Sequence, residues 1–377
     1  MSAVAAPSKP PPNLGPVPFS WGLSGGLATL VGREDSLAKP VPWRRWGAIV
    51  FALAVSVGLL VLLFRDVDPK QVLAEAKKVD LRVFAWIYAL RAVAFFALTW
   101  RTRAIAAPLH TYRWPQATRA VFAGYFGNAV LPARIGELMK AGYLSRVGSP
   151  TPTACLAFIA VERVLDLVVI AIVALWVSFV VLNEQAGDSV VLFSLAAGSG
   201  AVLLFVLARS PQRVVDVARA GVRLLGPRAD ALISPRIETF VEGLSALDTA
   251  RQLLPVILST LLYWGANVAT IAIWPLAFGL SLPWYTPLVV MVFLALGTAL
   301  PSTAAFVGTY HYAAAAALNL MGVSRETAVA MAVFVHAATF IPWTIAAGLI
   351  IVMPLLKGQF ATKHASLRPS AAPEPMT

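Results

Sequence analysis

A single cysteine, four histidines and eighteen carboxylates in 377 residues leave little room for most protein chemistry. Cys155 alone excludes an intrachain disulfide, and His110, His311, His336 and His364 lie too far apart to have metal-ligand spacing. No metal or cofactor is therefore expected. No Gly-rich loop of the Lys-Ser/Thr type occurs, so energy from nucleotide hydrolysis is not expected either. Charge is scarce as well: only 13% of the residues are charged, too few for an ordinary soluble domain.

Apolar residues take their place, at 59% of the chain with a mean hydropathy of +0.76. They fall in blocks long enough to cross a bilayer as helices, without the alternation of a membrane β-barrel. The composition is that of an integral membrane protein. The net charge of +12 fits this reading, because the arginines and lysines flank apolar runs, where they set topology and meet anionic headgroups. Nucleic acid is not an expected partner.

Residues 1–42 are rich in Pro, Gly and Ser and read as a disordered tail, as do residues 357–377. No signal peptide is expected, since the first apolar run follows Arg44 and Arg45 with no cleavage site after it. Residues 43–356 form the expected transmembrane domain. Its first span is 46–64, followed by an amphipathic segment over 66–80. Spans are expected at 81–105, 154–182, 190–208, 253–280 and 328–353, and the arginine-rich stretch 209–251 reads as a cytoplasmic amphipathic loop. Both termini should then be cytoplasmic, in a plasma (inner) membrane protein with many spans.

Two apolar segments do not fit a full crossing. Residues 118–131 are too short, and residues 287–320 are interrupted by Pro301 and Gly308. Each lies between full spans, at 81–182 and again at 253–353, and the second set enters from the opposite side. The expected fold is an all-α polytopic membrane protein with two inverted repeats, each holding a broken re-entrant helical segment near the midplane.

The first break reads GNAVLPARIGELMK over residues 127–140. Leu131 precedes Pro132, which disfavours the helical region and should stop the incoming helix there. Pro132 suits the start of a new helix, putting Arg134, Glu137 and Lys140 on one face of its first turns. An arginine beside free amides at a helix N-terminus suits a phosphate. Glu137 can orient Arg134, and Asn128 can satisfy backbone groups opened by the break. In the following span, Arg163 and Asp166 are spaced to pair, with Glu162 on a neighbouring face. This set reads either as an ion network fastening helices or as a contact for substrate. Arg91 snorkels to the surface or belongs to the pathway, and His336 is a helix-to-helix hydrogen bond or a switch.

The pattern of Asn128, Leu131, Pro132, Arg134, Gly136 and Glu137, then Glu162, Arg163 and Asp166, resembles the lysylphosphatidylglycerol synthase transmembrane region, a flippase-like family. PSTAAFVGTYH at residues 301–311 continues the likeness through Pro301, Ser302 and Gly308. Ala305 and Phe306 stand where the family tends to have a glycine pair, and His311 where it has an acid. The resemblance covers about residues 45–355 and implies movement of phospholipids, modified lipids or polyisoprenoid-linked lipids between leaflets. The full-length synthases add a soluble aminoacyl-transferase domain, for which residues 1–45 and 209–251 are too small, so lysyl transfer is not expected.

The preferred reading is a lipid translocase that takes an anionic headgroup, with Asn128, Arg134, Glu137, Lys140, Glu162, Arg163, Asp166, Ser302, His311 and His336 as candidate binding residues. Pro132, Gly136, Pro301 and Gly308 make the breaks. An intramembrane lipid-modifying enzyme or its subunit, using Glu137, Glu162 or Asp166 as acid or base, is the alternative. A scaffold with a structural polar core is the third reading. Membrane lipids are the expected partners, and a separate lipid-modifying enzyme and further copies of the chain remain open.

Overall fold

The structure is a computed structural model that describes residues 43–65, 67–131, 135–181, 216, 250–299 and 303–356. The expected tails, the span at 190–208 and nearly all of the loop at 209–251 lie outside the described residues. The contacts divide the chain after Trp46, and the account below concerns the unit Gly47–Thr377.

The described residues are helical, with no strand among them. In chain order the helices are α1 (Trp43–Phe64), α2 (Pro69–Lys77), α3 (Val83–Ala106), α4 (Trp114–Val130), α5 (Gly136–Val147) and α6 (Pro152–Trp176), the last continued by a π turn, Val177–Val181. Then come α7 (Ala250–Ala277), α8 (Thr286–Ala299), a 3-10 turn (Ala304–Phe306), α9 (Thr309–Leu320) and α10 (Arg325–Leu356). Three of them, α3, α7 and α10, are long and apolar enough to cross a membrane. At 25 residues α6 is as long as α3, but it carries Glu162, Arg163 and Asp166 in its middle.

Local signals in the sequence set the boundaries. Asp68 caps α2 by accepting the Lys70 amide at 2.9 Å, with Pro69 in the first turn. Thr151 caps α6 by accepting the Ala154 amide at 3.2 Å, again ahead of a proline. Helix α4 ends where expected, with Leu131 extended at φ −104° and ψ 143° as a residue before proline prefers. The next helix starts later than the proline signal suggests: α5 begins at Gly136, and Pro132 and Arg134 lie outside the described residues.

Both halves run long helix, short helix, break, short helix, long helix: α3, α4, α5, α6, then α7, α8, α9, α10. The packing crosses between them. α3 lies along α7, α4 packs on α10, and α6 packs on α8. The larger core joins Ile87 of α3 to Val289 and Val290 of α8, Ala314 of α9 and Met331 of α10. A second core gathers Ile105, Leu144 and Phe158 where α3, α5 and α6 meet. On α10, Ile341, Ile345 and Leu349 recur every fourth residue and are exposed, an apolar stripe suited to lipid.

Candidate functional site

At the first break, α5 is pressed against α4 closely enough that only glycine fits. A β-carbon on Gly136 would stand 2.0 Å from the Gly124 carbonyl oxygen and 2.6 Å from Asn128 Oδ1. The same closeness lets Asn128 Oδ1 accept the Gly136 amide at 3.0 Å, satisfying a donor at the start of α5 as the sequence suggests.

Behind the break lies a network of six charges. Lys140 on α5 donates to both oxygens of Glu162 on α6, at 2.7 and 2.6 Å, and the Thr102 hydroxyl donates to Glu162 Oε1 at 2.8 Å. Arg101 on α3 grips Asp166 with two bonds of 2.7 and 3.3 Å, and the Trp264 indole of α7 adds a third at 3.0 Å. Arg163 bridges the remaining carboxylates, reaching Asp166 at 3.2 Å and Glu137 at 2.9 Å. Three cations thus meet three carboxylates, and the set has no net charge.

Burial separates these pairs. Arg101 is 0% and Glu162 1% exposed, whereas the Arg163 side chain is 49% exposed. A buried ion holds its charge only when paired, and each oxygen of Glu162 and Asp166 has at least one donor. The pairing differs in two ways from the spacing arguments. Glu137 is bound to Arg163, while Arg134, its expected partner, lies outside the described residues. Arg101, which reads in sequence as one of the interfacial basic residues beside Trp100 and Arg103, is the most enclosed cation of the network. The signal that could have found it is the surplus of carboxylates on α6, since Glu162 and Asp166 demand more than the single arginine between them.

The family model for the lysylphosphatidylglycerol synthase transmembrane region matches residues 49–347. The chain belongs to this family. It is a family of membrane domains linked to lipid metabolism or translocation. No curated protein and no solved structure matches the chain.

The second break holds its chain in conformations that its residues resist. Ala305 and Phe306, where the resemblance leads one to expect a glycine pair, both have left-handed backbones, with φ of 61° and 56°. These are glycine conformations held by residues that resist them. Gly308 has φ 91°, and a β-carbon there would lie 2.4 Å from the Ser56 carbonyl oxygen of α1. Ser56 in turn accepts the Thr303 amide at 3.1 Å, so α1 closes this break. Ser302 and Pro301 lie outside the described residues.

His311, where the resemblance leads one to expect an acid, does not stand alone. Its Nδ1 accepts the Gly308 amide at 3.3 Å, and its Nε2 lies 3.0 Å from Nδ1 of His336 on α10. The two histidines that the sequence separates by 25 residues are thus one hydrogen-bonded pair, buried between α9 and α10. Arg91 does not reach out to the surface: its guanidinium donates to Asn267 Oδ1 of α7 at 3.1 Å and lies 5.7 Å from the centre of the Phe95 ring.

Proposed function

We propose that this family member is a lipid translocase of the plasma (inner) membrane, moving an anionic phospholipid or a polyisoprenoid-linked or modified lipid between leaflets. The observation that carries the reading is the pair of broken segments, each between two longer helices and each packed on the other half of the molecule. Inverted repeats with discontinuous helices are the architecture of alternating access, with the substrate site at the breaks. In this reading the breaks are re-entrant, the two halves are inverted copies, and both termini face the cytoplasm.

Arg134 and the free amides at the start of α5 would take the headgroup phosphate. Arg163, half exposed at the edge of the network and shared between Glu137 and Asp166, would assist it. Lys140, Glu162, Arg101 and Asp166 then serve as the fixed wall, since each is already held by an opposite charge. This pairing counts against Glu162 and Asp166 as the base of the enzymatic alternative, because a general base needs a lone pair free for the proton it removes, and leaves Glu137, bound through one oxygen to Arg163, as its candidate. Asp166 accepts two bonds on each oxygen, and Glu162 accepts three in all, two of them from a lysine that keeps it ionised.

The test is leaflet exchange of fluorescent phosphatidylglycerol and phosphatidylcholine in vesicles holding the purified protein. Wild type is expected to accelerate exchange, and a folded Arg134→Ala variant to lose at least tenfold of that rate. Folded wild type that exchanges neither lipid would overturn the reading and point to analysis of lipid masses.

A further inference from the structure

About 15 Å along α3 from Arg101, at the rise of a helix over ten residues, stands a second intramembrane cation with a different fate. Arg91 has no carboxylate within ion-pair distance among the described residues. One of its bonds goes to Asn267, a neutral amide, and its Nε–H is buried without a partner. A cation placed in a membrane interior without a counter-charge is costly, and the cost falls when an anion joins it.

The surroundings are built from other unpaired donors. The Tyr125 hydroxyl of α4 is buried and makes no well-aligned hydrogen bond among the described residues, and Tyr125 packs edge-on against Phe95, the ring that Arg91 touches. The histidine pair supplies a third. Because His311 Nδ1 accepts from Gly308, a neutral His311 carries its proton on Nε2 and donates to His336 Nδ1. His336 must then carry its own proton on Nε2, and this nitrogen is buried and unpartnered on a residue only 6% exposed. Phe340 touches both Tyr125 and His336, so a run of ring contacts through Phe95, Tyr125 and Phe340 joins Arg91 to His336. Four helices, α3, α4, α7 and α10, thus bring a net positive charge and three unused donors to one region.

We infer that Arg91, Tyr125 and His336 form a binding site for a phosphate-type anion, separate from the first break and from the neutral network behind it. The site is independent of the Arg134 reading: it needs an anion, whether or not that anion crosses the membrane. A phosphodiester in a lipid headgroup and free inorganic phosphate share the required chemistry, being acceptors of charge-assisted hydrogen bonds from Arg, His and Tyr.

Binding is measured on the full chain in maltoside micelles, in an Arg134→Gln background that removes the other anion site. The probes are soluble dihexanoyl phosphatidylglycerol and, separately, inorganic phosphate. Dihexanoyl phosphatidylglycerol is expected to bind saturably, and Arg91→Gln to weaken it at least tenfold. Tyr125→Phe, which removes one hydroxyl and keeps the ring, is expected to weaken binding about fivefold, which keeps the test open if Arg91→Gln fails to fold. Binding of inorganic phosphate alone, with the same dependence on Arg91 and Tyr125, supports the site and assigns it to a free anion. Neither probe binding, or both binding regardless of Arg91 and Tyr125, overturns it. The leaflet-exchange test can fail while this binding persists, and the reverse, so the two proposals are judged apart.

Discussion

Behind the first break, α5 is tied to α6, and α6 to α3, by ions: Lys140 and Glu162, Arg101 and Asp166, with Arg163 between two carboxylates. At the second break, the turn and α9 are tied to α1 and α10 without a formal charge among the described residues, by Ser56 on Thr303 and by the chain from Gly308 through His311 to His336. An ion pair out of water is rigid, because separating it leaves two stranded charges. A neutral hydrogen bond can be exchanged at a cost of about 1 kcal/mol. The contrast assigns the fixed wall to the first half and the adaptable joint to the second.

The largest expected effect comes from breaking the ionic side. Glu162→Leu strands Lys140 and should cost about 3–5 kcal/mol in unfolding measured in detergent, and Arg101→Met, which leaves Asp166 to Arg163 and the Trp264 indole, should cost less. Replacing both partners, with Lys140→Met beside Glu162→Leu, should recover most of the loss, since a well-packed apolar pair serves in place of a buried ion pair. If the double variant stays as unstable as the single, the ions do more than neutralise each other and the wall assignment fails.

Next come the two glycines that let the breaks close. Gly136→Ala drives a methyl group into the Gly124 carbonyl and Asn128, and Gly308→Ala drives one into Ser56 at a positive φ. Each is expected to cost about 1–3 kcal/mol, through overpacking at the first and backbone strain added to it at the second. Equal losses with retained leaflet exchange would dissolve the distinction between wall and joint. Asn128→Ala should follow at about 1–2 kcal/mol, because the Gly136 amide loses its acceptor inside the protein. Hydrogen exchange at Gly136 reads this directly, as faster opening of the first turn of α5.

How far the sequence foretold this depends on the range over which each signal acts. The stop at Leu131 and the Asn128 cap come from neighbours within eight residues, and they are where local rules place them. The matching orders of long and short helices follow from hydropathy and interruptions. Arg101 was beyond reach because the positive-inside rule already explains an arginine at a span end, while its partner Asp166 lies 65 residues away. The His311 to His336 bond, between two helices joined by a turn, depends on how α9 and α10 rotate against each other, which spacing does not fix. Arg91 was ambiguous for the same reason: only the packing of α3 on α7 decides that it meets Asn267.

The smallest expected effect has the opposite sign and tests the second break alone. Ala305 at φ 61° and ψ 11° occupies left-handed space, where an L side chain costs roughly 1–2 kcal/mol that glycine avoids. Glycine returns part of this through the greater freedom of its unfolded chain, about 0.5–1 kcal/mol. Ala305→Gly should therefore stabilise the protein by about 0.5–1 kcal/mol, a gain readable as a small upward shift in unfolding temperature beside wild type. A gain of that size means that glycine suits this turn, and that the alanine here holds strain at the joint. A loss would mean that the turn does not keep the left-handed backbone, and the strained joint would then have to be given up while the ionic wall stands.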